Sequence, residues 1–162
     1  MKNSSISAII DQFNMQTRLF NNILKDVDPA NYSKKPNSTT NNYAWLAGHV
    51  LNTRYNIANI IGVKLTSPYG ELYDNFRGYD SSLTYPALDE VQTYWKKISE
   101  NFIAGLNELN DDFINAPAPF KVPIGDNTMK GILAFFAHHE AYHIGQLGYL
   151  RRYLGIPAMS YD

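Results

Sequence analysis

Apolar positions recur at helical spacing in four stretches of the chain, and between them lie segments with neither helical nor strand periodicity. In the first stretch Ile6, Ile9, Ile10, Phe13, Phe20 and Leu24 mark one face, with Ser4 or Ser5 as the predicted N-cap. This helix should fade before Pro29, where "DPANYSKKPNSTTNN" reads as a loop. A second helix is predicted after a cap at Ser38, Thr39 or Thr40, running through "AWLAGHVLNTRYNIANII" to about Gly62. The third has the most regular stripe: Leu88, Val91, Trp95, Ile98, Phe102, Leu106 and Leu109, in steps of three and four, starting at Ala87 after Pro86. The fourth is predicted from a cap at Asn127 or Thr128 to Leu154, stopped by Gly155 in a left-handed conformation with Pro157 beyond.

The connections matter as much as the helices. Residues 63–86 are long enough to cross the length of a helix, so the second and third helices need not be antiparallel neighbours. Residues 110–128, "NDDFINAPAPFKVPIGDNT", form another connection, in which "FKV" is a candidate extended piece held out of helix by prolines. Four long helices without a strand pattern predict an all-α fold, a four-helix bundle formed as a single domain over residues 1–162.

Composition narrows the functional classes. The chain has 162 residues, 44% hydrophobic and 18% charged, which suits a globular protein and argues against disorder. The net charge of −1, with no long basic run, argues against nucleic-acid partners and against a hold on acidic lipid. The absence of cysteine removes disulfides, a protein thiolate nucleophile, Cys-ligated zinc and iron–sulfur clusters. "MKNSSISAIIDQF" does not read as a signal peptide and no apolar stretch approaches a membrane span, so the sequons at Asn3, Asn31 and Asn37 carry little weight and a cytoplasmic location is expected.

Three of the four histidines fall in "HHEAYHIGQL", residues 138–147. On the predicted stripe Ile132, Phe136, His139, His143, Leu147, Leu150 and Leu154, His139 and His143 sit one turn apart, close enough for both imidazoles to reach one cation. His138 is turned by about 100° and should point elsewhere. The remaining histidine, His49, lies on the interior-capable face of the second helix beside Trp45, Thr53, Ile57 and Ile60, and could supply a third nitrogen. Gln146, Asn52 and Asn56 are placed to orient a ligand or a bound water. The same spacing also fits two histidines satisfied in a core, and spacing does not decide between these readings.

Other histidine chemistries fit less well. Glu140 and His143 form one Glu-x-x-His, whereas di-iron bundles need two and further interior carboxylates, and Glu90, Glu100 and Glu108 fall off the core stripe. "HEAYH" satisfies His-Glu-x-x-His literally, but no histidine follows His143 and the nearest downstream acid is Asp162.

The mid-helix His49 with an aromatic four residues before it, the connection with "VPIGDNTM", and "FFAHHEAYHIGQLGYLRRYLGIP" together resemble the DinB-like (DinB/YfiT) superfamily over nearly the whole chain. The resemblance implies an up-down-down-up bundle whose long crossover makes helices two and three parallel. It also implies a divalent metal (zinc, nickel or iron) held by His49, His139 and His143. Members include metal-dependent transferases that work with small thiols, of bacillithiol or mycothiol type, and a maleylpyruvate isomerase. In these the metal activates the cofactor thiol as a thiolate. The implied function is therefore a metal-dependent thiol-transferase or hydrolase acting on a small molecule, with a low-molecular-weight thiol as cofactor and a homodimeric assembly; the alternative is a non-catalytic metal-binding bundle with a structural or stress-related role. With no cysteine in the chain, any reacting thiol must come from a small molecule. Arg151 and Arg152 are candidates for a carboxylated cofactor, though cations at a helix C-terminus also offset the helix dipole from solvent. Tyr69, Tyr73, Tyr79 and Tyr85 are candidates for shaping a pocket, and Tyr142 is expected to pack on a neighbouring helix.

Overall fold

The computed structural model describes residues 4–162; the sequon at Asn3 lies outside the described residues. Six helices follow in order: α1 Ser7–Leu24, α2 Tyr43–Ile60, α3 Gly70–Tyr73, α4 Leu88–Glu108, α5 Asp111–Asn115 and α6 Met129–Tyr153. The four long ones form the bundle, and no strand occurs among the described residues. An isolated antiparallel bridge joins Pro117 to Thr128, so the extended pairing in that connection lies beside "FKV" and not on it.

Side-chain contacts fix the directions. Phe13 meets Phe102, and seven residues further along α1, Phe20 meets Trp95, so α1 and α4 run antiparallel. Gln16 donates to the Ala137 carbonyl and Arg151 to the Ile23 carbonyl, so α1 and α6 run parallel. Tyr32 holds the starts of α2 and α4 together: its carbonyl accepts from the Ala44 N–H, and its hydroxyl meets the Leu88 backbone. At the other end Gly105 backs onto Ile61 and Val63, just past α2, so α2 and α4 are parallel. The result is the up-down-down-up order, with residues 61–87 as the long crossover.

The helix ends show local chemistry that periodicity alone misplaces. Asn42, not Ser38, Thr39 or Thr40, caps α2, its side-chain oxygen accepting from the Trp45 N–H at 2.8 Å. The chain enters α1 through a 3-10 turn at Ser4–Ile6, and Ser5 donates to the Asp111 carboxylate without capping α1. Thr128 caps α6 as predicted. Gly131 has no room for a side chain, because a Cβ there would lie 2.0 Å from the Asp126 carbonyl oxygen. Gly155, at φ 77°, ends α6 in the left-handed region. The short helices α3 and α5, one turn each, have too few residues to carry a periodic signal.

At the centre of the bundle sits an ion pair. Arg54 on α2 meets Glu140 on α6 through two hydrogen bonds of 2.6 Å each, and both side chains are fully buried. The guanidinium also donates to Thr17 on α1 at 3.1 Å and to Ser99 on α4 at 3.2 Å, and lies over the rings of Trp95, Phe102 and Phe13. One arginine thus touches all four long helices and fixes the height of α2 against α6, the two helices that carry the histidines.

Candidate metal centre

On α6 the predicted stripe positions Ile132, Leu147 and Leu150 are buried, together with Leu133, Ala137, Glu140, Ile144 and Arg151. Only in the middle of the helix is the buried side displaced by one residue from the predicted stripe, to Glu140 and Ile144, where Glu140 meets Arg54. His139 and His143 therefore flank the core, half-buried, and look toward the edge of α2. His49 reaches them from α2. Its Nε2 lies 3.4 Å from the Nε2 of His139, which in turn lies 3.2 Å from the Nε2 of His143. The three ligand atoms fall within 4.8 Å of one another, and among the described residues this is the group of histidines and acids that could hold a metal ion.

The donor set fits a cation. Two nitrogens bound tetrahedrally at 2.0–2.1 Å are separated by about 3.3–3.4 Å, close to the spacing observed here. Two of the three rings are also held in orientation. Trp45 stacks on His49 with ring centroids 4.9 Å apart and planes 5° from parallel. His143 Nδ1 lies 2.7 Å from Gln146 Oε1; as an N–H donor to that carbonyl it leaves the Nε2 lone pair free to ligate. Burial, with the neighbouring histidines adding to it, lowers the pKa of His49 to about 3 and that of His139 to about 4. Burial lowers His143 as well, against the hydrogen bond it donates to Gln146, which raises it. All three imidazoles are thus neutral near pH 7, the form in which they ligate.

The other candidates resolve differently. His138 is exposed and turned away. Glu140 does not face the histidines: the residue that completes the literal His-Glu-x-x-His is the core partner of Arg54, which removes it as a base for a protease of that type. Arg151 is neither solvent-facing nor near the histidines. It is buried and donates to the carbonyls of Pro157, Ile23 and Lys25, clamping the chain after α6 onto the end of α1. Arg152 donates to the Ile156 carbonyl. Tyr142 is exposed beside His143 and does not pack on a neighbouring helix.

Of the four crossover tyrosines only Tyr73 reaches the site. It rides on α3, is buried, and its hydroxyl rests against α2 where Gly48 leaves space; a Cβ at Gly48 would lie 1.9 Å from that oxygen. Tyr69 packs edge-on against Tyr94, while Tyr79 and Tyr85 stack on each other. Asn52 ties α3 to α2 by donating to Asp74 at 3.1 Å. A cleft of about 640 Å³ opens over His49 and His139, walled by the end of α3, residues 120–123 and the phenylalanines of α6.

A half-buried trio of neutral imidazoles drawn from two helices of an up-down-down-up bundle, beside an open cleft, defines the class of protein. The chain belongs to the DinB superfamily, which it matches over residues 12–147. Its fold is similar to the crystal structure of a DinB-like protein, YjoA, from Bacillus subtilis, with a TM-score of 0.66 and 18% sequence identity, covering 95% of this chain and 96% of that one. No curated protein matches the sequence. Among the described residues no helix is long and apolar enough to cross a membrane.

Proposed function

We propose that the protein is a metal-dependent enzyme in which His49, His139 and His143 hold a divalent cation, zinc, nickel or iron, and that it catalyses thiol transfer to, or hydrolysis of, a small molecule. The observation that carries this reading is the convergence of three Nε2 atoms, 3.2 and 3.4 Å from one to the next, at the wall of an open cleft. A cation held by three neutral imidazoles keeps its full double charge and an exchangeable position, and lowers the pKa of a water or thiol bound there toward neutrality.

The chain's own part is to hold and to exclude. Gln146 fixes the tautomer of His143, and Trp45 fixes the ring of His49. Phe135 and Phe136, with ring centroids 6.3 and 6.1 Å from that of His139, keep one side of the site apolar. Electrostatic attraction on a charged thiol or electrophile is stronger in such a poorly solvated setting than in water.

The test uses protein loaded with cobalt(II) and titrated with 2-mercaptoethanol. A thiolate-to-cobalt charge-transfer band that is absent in His143→Ala is the expected result. Conjugation of a thiol to an electrophile, or ester hydrolysis, that requires the loaded metal completes it. A cobalt spectrum unmoved by thiols or by competing anions would mean a closed site and would favour a non-catalytic metal-binding bundle.

A further inference from the structure

The cleft over His49 and His139 is lined by phenylalanines beyond the two that flank His139. Phe120, Phe135 and Phe136 form an edge-to-face series: the centroids of Phe120 and Phe136 are 6.5 Å apart, and those of Phe135 and Phe136 are 5.3 Å apart. From Phe136 the series continues to His139. Phe120 is 45% exposed, so an aromatic path leads from the mouth of the cleft to a candidate ligand of the metal. Phe76, fully exposed, also lines the cleft.

Phe76 is also strained. It and Asn75 both adopt a left-handed backbone, at φ 58° each. Two successive non-glycine residues in that region are strained, and such strain concentrates where ligands are held. The strain directly follows α3, whose position on α2 is fixed by Tyr73 over Gly48 and by the Asn52–Asp74 hydrogen bond. A folded chain gains nothing from holding a phenylalanine in solvent in this conformation; a ligand ring between Phe76 and the phenylalanines of α6 supplies the burial that would offset it.

The charges at the cleft are few. Apart from the histidines, the ionisable side chains lining it are Asp74, Lys121 and the phenol of Tyr73. Asp74 and Lys121 are opposite in sign, and the Asp74 carboxylate already accepts from Asn52. The volume of about 640 Å³ falls in the range of small-molecule sites.

We propose that this cleft is the binding site for an uncharged aromatic small molecule, held between Phe76 and the Phe120–Phe136 pair, with its reactive group turned toward the histidines. The identification of this ligand as the reactant rests on the metal-dependent enzyme reading; its binding does not.

The probe is benzamide, compared with cyclohexanecarboxamide, which carries the same polar group on a saturated ring. Amide NMR shifts are followed during titration of the full-length protein, with and without zinc. Shift changes confined to residues lining the cleft, among them Asn52, Tyr73, Phe76, Phe120, Phe136 and His139, are expected, with affinity for the saturated analogue at least about threefold weaker. Phe76→Ala, an exposed position whose loss does not threaten folding, is expected to weaken benzamide binding at least about fivefold. His143 does not line the cleft, so His143→Ala is expected to keep benzamide binding while losing zinc; zinc binding without benzamide binding therefore overturns this proposal alone, and benzamide binding without zinc binding overturns the metal reading alone. Equal affinity for the two amides, shifts elsewhere on the surface, or a Phe76→Ala variant that binds like wild type would each overturn the proposal.

Discussion

The Arg54–Glu140 pair gives the sharpest stability prediction. Replacing Glu140 by leucine leaves a fully buried guanidinium that keeps Thr17, Ser99 and the faces of three aromatic rings but loses both of its charged partner's bonds. Breaking one side of a buried pair costs about 3–5 kcal/mol, since the remaining charge is uncompensated in low dielectric. For a chain of this length that corresponds to a fall in Tm of about 6–20 °C. Arg54→Met should cost about as much, by stranding the carboxylate. The double variant Arg54→Met/Glu140→Leu removes both charges and should recover most of the loss, because well-packed apolar side chains often replace a buried pair at little cost. Urea unfolding followed by far-UV circular dichroism on wild type, both single variants and the double variant reads these four values. Single variants within about 1 kcal/mol of wild type, or a double variant as unstable as the sum of the two singles, would refute the reasoning.

Other expectations follow from the site. Gln146→Ala should weaken zinc affinity about 10- to 100-fold with little change in Tm, read by calorimetric titration, because it frees the His143 tautomer without opening the core. Tyr73→Phe removes a buried hydroxyl that has no partner among the described residues, so Tm should hold or rise by the equivalent of about 1 kcal/mol; a clear fall would show that the hydroxyl is satisfied. Gly48→Ala should destabilise by about 1–3 kcal/mol, measured in the same urea assay, by pushing Tyr73 off α2. The metal-free protein should lose stability as pH falls from about 6.5 toward 4. The unfolded histidines take up protons there, while burial keeps His49 and His139 neutral down to about 3 and 4. His49→Phe should flatten that slope in urea melts between pH 7 and 4, and an unchanged slope would remove His49 as its source.

The bundle and its crossover were legible in the sequence because α1, α4 and the ends of α6 repeat apolar residues every three or four positions. Helix faces paired His139 with His143 and left His49, ninety residues from His139, as a candidate third nitrogen, but only the family resemblance implied that the three share one metal, since no local spacing links them. Arg54 and Glu140 were missed as partners for the same reason. Each reads alone as a charge on a helix, and only the packing of α2 on α6 places them together. At mid-helix the predicted stripe of α6 placed His139 and His143 inside and left out Glu140, whereas Glu140 is the buried one. The caps at Asn42 and Asn110 depend on side chain–backbone hydrogen bonds, which hydrophobic pattern does not record.

The central claim is that one cation is shared by α2 and α6. The most direct measurement is calorimetric titration of zinc into protein purified without a metal column, comparing wild type with His49→Ala, the substitution that removes only the ligand from α2. One zinc per chain in the wild type, with affinity at least about 100-fold weaker in His49→Ala while the far-UV spectrum is unchanged, is the predicted result. No zinc uptake by the wild type, or equal affinity in the two proteins, would contradict it.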